Sequence, residues 1–375
     1  MKILINLSNI KIGGGIQASI SLINELNLIE KDIEFHIILS KEVSKQINKL
    51  LFKNLKLYNI ANEPKPFIFG YKAKTELNNI EYQIQPDIVF SIFGPSYWKP
   101  KTIHLAGFAL GLSINPDSLF YKQISFWQKI KFYMYNKIHL FYILKDSDYF
   151  VTETEVVKTR LVKYGKVEMD KIFVIENSYG NQFSQPLVEN EIISNKIEKF
   201  NKQFKLLVFC SNYKHKNMQI IPKVCEILNQ KKINYQFFVT ISSTDYHKIF
   251  NGYEEKVLNL GPIDVKHSPF IYSISDALFL PTLLESFTAT YPEAMIMQKP
   301  ILTSKLDFAQ NICKDAACYF NPLDAHEIAE KIGFVIQNPR YQNTLITNGN
   351  ERAKQFLTPQ QKVQKYVDLL INLGV

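Results

Sequence analysis

A chain of 375 residues with 46% hydrophobic and 21% charged residues can fill more than one core, which excludes a disordered chain and makes two domains the expectation. The net charge of +9, from 44 Lys+Arg against 35 Asp+Glu, favours phosphates, nucleotides or anionic lipid as partners; with no compact Lys/Arg cluster and no nucleic-acid motif, nucleic acid is not expected. The four cysteines, Cys210, Cys225, Cys313 and Cys318, lack metal-ligand spacing and read as free thiols of a reducing compartment. The opening residues do not resemble a secretory leader, and no stretch approaches the ~18 apolar residues of a membrane span, so the expected location is the cytoplasm.

In chain order, residues 2–7 form an apolar run of strand length. Gly13, Gly14 and Gly15 follow, and then Ile16, Ile20, Ile23 and Leu26 recur at helical spacing. Such a strand, glycine loop and helix lets backbone approach a ligand closely, although the pattern is not a dinucleotide fingerprint. Further strands are expected at 35–39, 87–92 and 102–108. His104 lies in or near the exit of the last of these, either as a hydrogen-bonded core residue or as a group pointing into a cleft. Residues 122–144 mix Phe126, Trp127, Phe132, Tyr133, Tyr135 and Phe141 with Lys122, Lys129, Lys131 and Lys137. Two readings stay open there. The helix packs its aromatics on a sheet while its lysines reach water, or it lies on an anionic membrane surface. Strands at 149–152 and 171–176 bracket another helix.

The polar stretch 184–203 reads as a linker between a first domain, 1–183, and a second, 204–355. A final helix within 356–375 is expected to pack back towards the first domain. The second domain repeats the alternation, with strands at 206–210, 235–241, 257–260, 277–280, 300–303 and 318–320 and helices from 218, 308 and 325. Two successive runs of β and α predict an α/β fold of two Rossmann-like, doubly wound parallel-sheet domains facing across a cleft. Within 276–300, a strand ends at Pro281-Thr282. A loop carries Glu285, and a helix beginning near Pro292 holds Glu293 in its first turn. A strand end, a loop and a helix N-terminus make an anion-binding geometry in such folds. Taken singly, Glu285 could be a solvated loop carboxylate, Glu293 a partner of the helix dipole and Lys216 one of many surface cations.

Glu285-x7-Glu293, followed by QKPILTS and DAACYFNPLDAHEIAEKI, resembles the donor-binding segment of glycosyltransferase family 4: retaining, nucleotide-sugar-dependent enzymes of the GT-B fold. The likeness extends over nearly the whole chain, through the glycine loop, the loop before Lys216 and the terminal helix. It implies that Glu293 accepts hydrogen bonds from ribose hydroxyls and that Glu285 holds the donor sugar. Backbone N–H groups of Phe287, Thr288, Ala289 and Thr290 would meet sugar or phosphate. Lys216 would meet the diphosphate, bordered by Gly14 and Gly15, and His104 would match a first-domain histidine of some members. Ser211 stands where many members carry arginine, with Lys214 or His215 available to replace its charge. Glu285-Ser286-Phe287-Thr288 stands for the family's Glu-Gly-Phe-Gly, so Ser286 and Thr288 bear on donor choice.

The implied activity is hexosyl transfer: a hexose or N-acetylhexosamine passes, with retention, from a nucleotide-diphosphate sugar to a hydroxyl acceptor in lipopolysaccharide, capsule or other surface polysaccharide biosynthesis. No cofactor and no metal is expected, since a basic pocket would replace the divalent cation. The expected partners are the nucleotide-sugar donor, a saccharide or lipid-linked saccharide acceptor and, through 122–144, an anionic membrane surface. A cytoplasmic enzyme placed peripherally on the inner membrane face would fit them. Two rival functions share these residues: a sugar-nucleotide epimerase on the same fold, and a non-catalytic protein that binds nucleotide or anionic lipid.

Overall fold

The computed structural model describes residues 1–29 and 32–375. It divides into two compact units. The first comprises Met1–Ser178 with Leu357–Val375, and the second comprises Tyr179–Phe356.

The first unit holds a seven-stranded parallel sheet in the order β3-β2-β1-β4-β5-β6-β7. Its strands are β1 (Lys2–Leu7), β2 (Glu34–Leu39), β3 (Leu55–Asn59), β4 (Ile88–Ser91), β5 (His104–Gly107), β6 (Tyr149–Thr152) and β7 (Ile172–Val174). Helices cover both faces, so the central strands are almost continuously buried instead of alternating. The strand order reverses between β1 and β4, where Ile3 pairs with both Phe35 and Ile88. The glycine loop leaves the carboxyl end of β1, at this switch point.

On one face the helix Gly14–Leu26 buries Leu22, Ile23 and Leu26 against Ile3, Ile5 and Leu7. The last helix, Pro359–Gly374, adds Val363, Tyr366, Val367 and Leu370 to the same core. A capping box between Thr358 and Gln361 starts that helix and satisfies two of its free amides. Just upstream, the Ser178 hydroxyl donates to the Leu357 carbonyl at 2.7 Å, so the two strands of chain that leave this unit are tied together. Lys362 is bound to Asn177 Oδ1, and Asn177 Nδ2 donates to Glu153 at 2.6 Å. Burial pushes the Lys362 ammonium below its ordinary pKa, and the Glu153 charge opposes that shift.

The second unit holds a six-stranded parallel sheet in the order β10-β9-β8-β11-β12-β13. Its strands are β8 (Phe204–Val208), β9 (Tyr235–Val239), β10 (Val257–Asn259), β11 (Ala277–Leu280), β12 (Ile301–Ser304) and β13 (Ala317–Phe320). Alternate side chains build two separate cores. Leu206, Phe237, Ala277 and Phe279 meet the helices Ile221–Gln230 and Ala325–Gln337. Leu207, Phe238, Leu278 and Leu280 meet Ser268–Ser273, Thr290–Ile296 and Asp307–Cys313.

The expected linker is not a spacer. Within 184–203, Glu191–Ile197 is helical, and Ile193 and Phe200 are buried in the second unit's core. These anchors, with the partly buried Ile197, dock a stretch that is otherwise mostly polar. The chain therefore passes between units at Ser178–Tyr179 and Phe356–Leu357. Strand β3 and the helices Tyr71–Ile84 and Pro339–Ala353 are further elements beyond those expected. The four cysteines are free thiols, with Cys225, Cys313 and Cys318 buried. Among the described residues no helix is long and apolar enough to cross a membrane.

If the last helix completes the first unit's core, Leu370→Ala should lower unfolding stability by about 2–5 kcal/mol, as buried leucine truncations do. Urea denaturation of the full chain, followed by tryptophan fluorescence and circular dichroism, measures this. A loss below about 0.5 kcal/mol would show that the helix is not part of that core.

Candidate functional site

The site is built where β8 and β11 lie side by side at the order reversal of the second sheet, so their following loops leave together. The β8 loop ends in a single turn, Lys214–Lys216, closed by Asn217 in the left-handed region at φ 57°. Asparagine tolerates that conformation better than most residues. Its side-chain amide then donates to the carbonyls of Pro281 at 3.2 Å and Pro322 at 2.8 Å. From the β11 loop, Leu283 N–H donates to the His215 carbonyl at 2.7 Å and the Thr282 hydroxyl to the same oxygen at 3.1 Å. The two loops are thus fastened to each other through main-chain atoms.

Across that seam Lys216 Nζ meets Glu285 Oε1 at 2.6 Å, with the two side chains only 12% and 9% exposed. Thr282 donates to the same carboxylate oxygen at 2.8 Å. Glu285 is therefore no solvated loop carboxylate, and Lys216 is no surface cation. Burial is the largest single influence and pulls the Lys216 ammonium down, but the Glu285 charge, Cys210, the hydrogen bond to Glu285 and Tyr213 together outweigh it and hold the pKa above its ordinary value. The ammonium stays charged and keeps donors beyond the one given to Glu285. His215 stacks on Tyr213, with rings 5.6 Å apart and nearly parallel. Burial lowers its pKa, so it is neutral at pH 7 and does not supply the charge of the family's arginine. Ser211 is exposed and contributes its carbonyl to Tyr213 N–H at 2.9 Å.

The helix Thr290–Ile296 starts two residues before the expected Pro292 and carries Glu293 in its first turn. Glu293 is buried, and Tyr272 OH donates to its Oε2 at 3.1 Å. Burial raises the carboxyl to about 7, with the Tyr272 bond working against that shift. Its Oε1 accepts no hydrogen bond among the described residues. Ahead of the helix, the backbone N–H groups of Phe287, Thr288, Ala289 and Thr290 also have no acceptor among the described residues. Phe287 turns its ring inward, edge-on to Phe356 at 6.3 Å, so only its backbone is available. The Thr288 hydroxyl is tied to that of Thr290 at 2.8 Å. The second unit thus brings together a matched ammonium, a row of free amides and a buried carboxyl with one open oxygen.

In the first unit, Gly13 caps the helix at φ 62°, a backbone geometry that favours glycine. Gly14 and Gly15 open the helix itself. A Cβ at Gly14 would meet open space, and one at Gly15 would make ordinary contacts with Ile10 at 3.5 Å and Phe93 at 3.9 Å, so neither is required by packing. His104 corrects the expectation of a catalytic residue. It is 1% exposed, its Nδ1 lies 2.6 Å from the Asp146 carbonyl, and its Nε2 lies 2.8 Å from Ser91 Oγ. Burial lowers its pKa to about 4. A neutral ring with both nitrogens engaged in the core has nothing left for a ligand.

Sequence reasoning missed Asn217, Thr282 and Tyr272. Thr282, beside Pro281 at the strand end, is the one with a local signal. Tyr272 sits in an apolar helix that gives no hint of its polar partner. Among the described residues no three His, Cys, Asp or Glu side chains converge as metal ligands would.

Glu285→Leu should cost about 3–5 kcal/mol of stability, because it leaves the buried Lys216 charge unmatched, while Lys216→Met/Glu285→Leu should cost clearly less. Denaturation of both variants measures the difference. Equal losses would mean the pair carries no coupling. Glu293 supplies a pH signature of opposite sign to an ordinary carboxylate. Its pKa rises from 4.5 to about 7 on folding, so the folded chain holds the extra proton between those values. The associated stability is fully present below about pH 4.5 and is lost as pH climbs through 7, a total of about 3 kcal/mol. In Glu293→Gln that decline should vanish from the pH–stability profile.

The family described as Glycosyl transferases group 1 matches residues 189–352. The O-antigen chain mannosyltransferase RfbU of Salmonella typhimurium is 24% identical over 256 residues, which is 66% of this chain and 67% of that protein. Among solved structures, a glycosyltransferase from Rickettsia africae superposes with a TM-score of 0.73 at 16% identity, covering 99% of this chain and 98% of the other. Anabaena Alr3699/HepE, solved in complex with UDP-glucose, superposes with a TM-score of 0.73 at 15% identity, covering 99% and 100%. At such identities these structures establish the fold alone: paired Rossmann-like units of the GT-B class. The stretch that matches the glycosyl transferases of group 1 is thus the one that carries the Lys216–Glu285 pair, the free amides and Glu293.

Proposed function

We propose that this glycosyltransferase moves a hexose or N-acetylhexosamine from a nucleotide-diphosphate sugar to a hydroxyl acceptor, with the anomeric configuration retained, in the assembly of a surface polysaccharide. The observation that carries the reading is the buried Lys216–Glu285 pair, set beside four unpaired backbone amides and Glu293. The likeness to an O-antigen chain mannosyltransferase supports the acceptor class, and the fold shared with a protein solved with UDP-glucose supports the donor class.

In this reading Glu293 Oε1 accepts from the ribose hydroxyls and Lys216 faces the diphosphate. Glu285 keeps Lys216 charged through Oε1 and offers its other oxygen to a sugar hydroxyl. The free amides of 287–290 donate to sugar or phosphate oxygens. As the bond to the anomeric carbon breaks through an oxocarbenium-like state, negative charge grows on the departing diphosphate. A fixed ammonium and aligned N–H donors stabilise that charge more than the ground state, which is what lowers a barrier. No metal or cofactor takes part in this proposal.

A thermal-shift panel of nucleoside diphosphates and nucleotide sugars identifies base and sugar together, since a bound ligand at a hundredfold excess over its Kd stabilises by about 2.7 kcal/mol. Lys216→Ala and Glu293→Ala should each lose most transfer while remaining folded, and undiminished turnover of the true donor in either would overturn the assignment. Ribose hydroxyls favour the ionised carboxylate, so nucleotide binding by the parent chain should tighten from pH 6 to pH 8, across the Glu293 pKa of about 7. Glu293→Gln should flatten that dependence.

A further inference from the structure

The helix Phe126–Asp146 has one inward and one outward face. Leu140, Tyr142 and Ile143 are buried in the first unit. At helical spacing on the opposite side stand Phe126, Ile130, Tyr133, Met134, Lys137 and Phe141, all exposed. Trp127, beside them, is 77% exposed. A soluble surface rarely leaves so many large apolar side chains contiguous without a partner.

A second segment extends this surface. In the turn at 67–70, Phe67, Ile68 and Phe69 are exposed, Ile68 by 82%. The segment is held in place. Phe67 adopts φ 59°, its N–H donates to Tyr142 OH at 2.8 Å, and its ring packs edge-on to Tyr142 at 5.8 Å. Tyr142 in turn meets Phe141 at 5.4 Å. A Cβ on Gly70 would lie 2.1 Å from the Lys65 carbonyl oxygen, so only glycine allows this turn to close. The chain therefore presents an apolar tip and joins it to the helix through a row of rings.

The charge along the helix has one sign as far as Lys145. No Asp or Glu occurs between residues 118 and 145, where five lysines do: Lys122, Lys129, Lys131, Lys137 and Lys145. Lys65, 3.8 Å from Glu63, and Lys72 flank the apolar tip and are exposed. Lys137 and Lys145 lie over the rings of Tyr133 and Phe141 at 5.5 Å. Aromatic side chains at headgroup depth with lysines around them match an anionic lipid surface. A second copy of the chain would set like charge against like charge.

We propose that the helix Phe126–Asp146 and the turn at 67–70 form one docking surface for the face of a bilayer that carries anionic headgroups. The aromatic stripe and the Ile68–Phe69 tip enter the interface, and the lysines meet the phosphates. Nothing here spans the membrane. The inference goes beyond sugar transfer, and its test does not depend on activity.

Full-length protein is sedimented with vesicles of pure phosphatidylcholine and with vesicles containing phosphatidylglycerol, at low and high salt. Binding is expected only with phosphatidylglycerol and should weaken as salt screens the lysines. Phe126→Ser/Trp127→Ser, Ile68→Ser/Phe69→Ser and Lys129→Gln/Lys131→Gln/Lys137→Gln should each reduce partitioning about tenfold or more, with thermal stability unchanged because all these side chains are exposed. Failure of the parent chain to bind anionic vesicles would overturn the proposal. So would equal binding to both vesicle types, or loss of binding in only the helix variants. Concentration-dependent dimerisation abolished by the same variants, without vesicle binding, would overturn it in favour of a protein interface.

Discussion

The candidate site depends on one buried charge being matched. Lys216 and Glu285 lie on different loops, 69 residues apart in sequence, and neither could be buried alone without a large desolvation cost. Their meeting requires that the β8 and β11 loops be held in register. The main-chain bonds from Thr282 and Leu283 to the His215 carbonyl, and the Asn217 amide bridging Pro281 and Pro322, provide that hold. Those bonds exist in turn because β8 and β11 are neighbours at the point where strand order reverses. Sheet topology, loop geometry and electrostatics thus form one chain of dependence.

The second carboxylate follows a different logic. Glu293 has no cation at hand and is held by a phenol, so desolvation dominates and the proton is retained to near neutrality. Two glutamates eight residues apart therefore sit in opposite surroundings: one against an ammonium, the other against a phenol and poised to ionise near neutrality. That contrast arises from the neighbouring side chains, not from the glutamates.

Much of this was legible in the sequence, and the limits have physical causes. Ala277–Leu280 and Tyr149–Thr152 were readable to the residue because buried parallel strands are short apolar runs bounded by polar ones. Strand β3, with Lys56 and Asn59 at a sheet edge, lacks such a run and went unread. Residues 184–203 looked like a linker because few of them, chiefly Ile193, Ile197 and Phe200, anchor the stretch. His104 was ambiguous because its partners, Ser91 and Asp146, lie 13 and 42 residues away, and spacing says nothing about contacts at that range. The same holds for Tyr272 and Glu293. The aromatic helix was visible as a composition, but which of its faces meets solvent was not.

The first unit is assembled from both ends of the chain, and this bears on its synthesis. Its sheet is complete by Ser178, yet the helix that sets Tyr366 against Phe90 of β4 begins only at Pro359. At ~5–20 residues per second, a ribosome needs on the order of ten to forty seconds to supply the intervening chain. Throughout that interval an apolar strip of the nascent sheet is uncovered, and the second unit, which is contiguous in sequence, can finish folding first. The newborn chain thus has a window in which a chaperone, or a neighbouring polypeptide, competes with its own last helix for that strip.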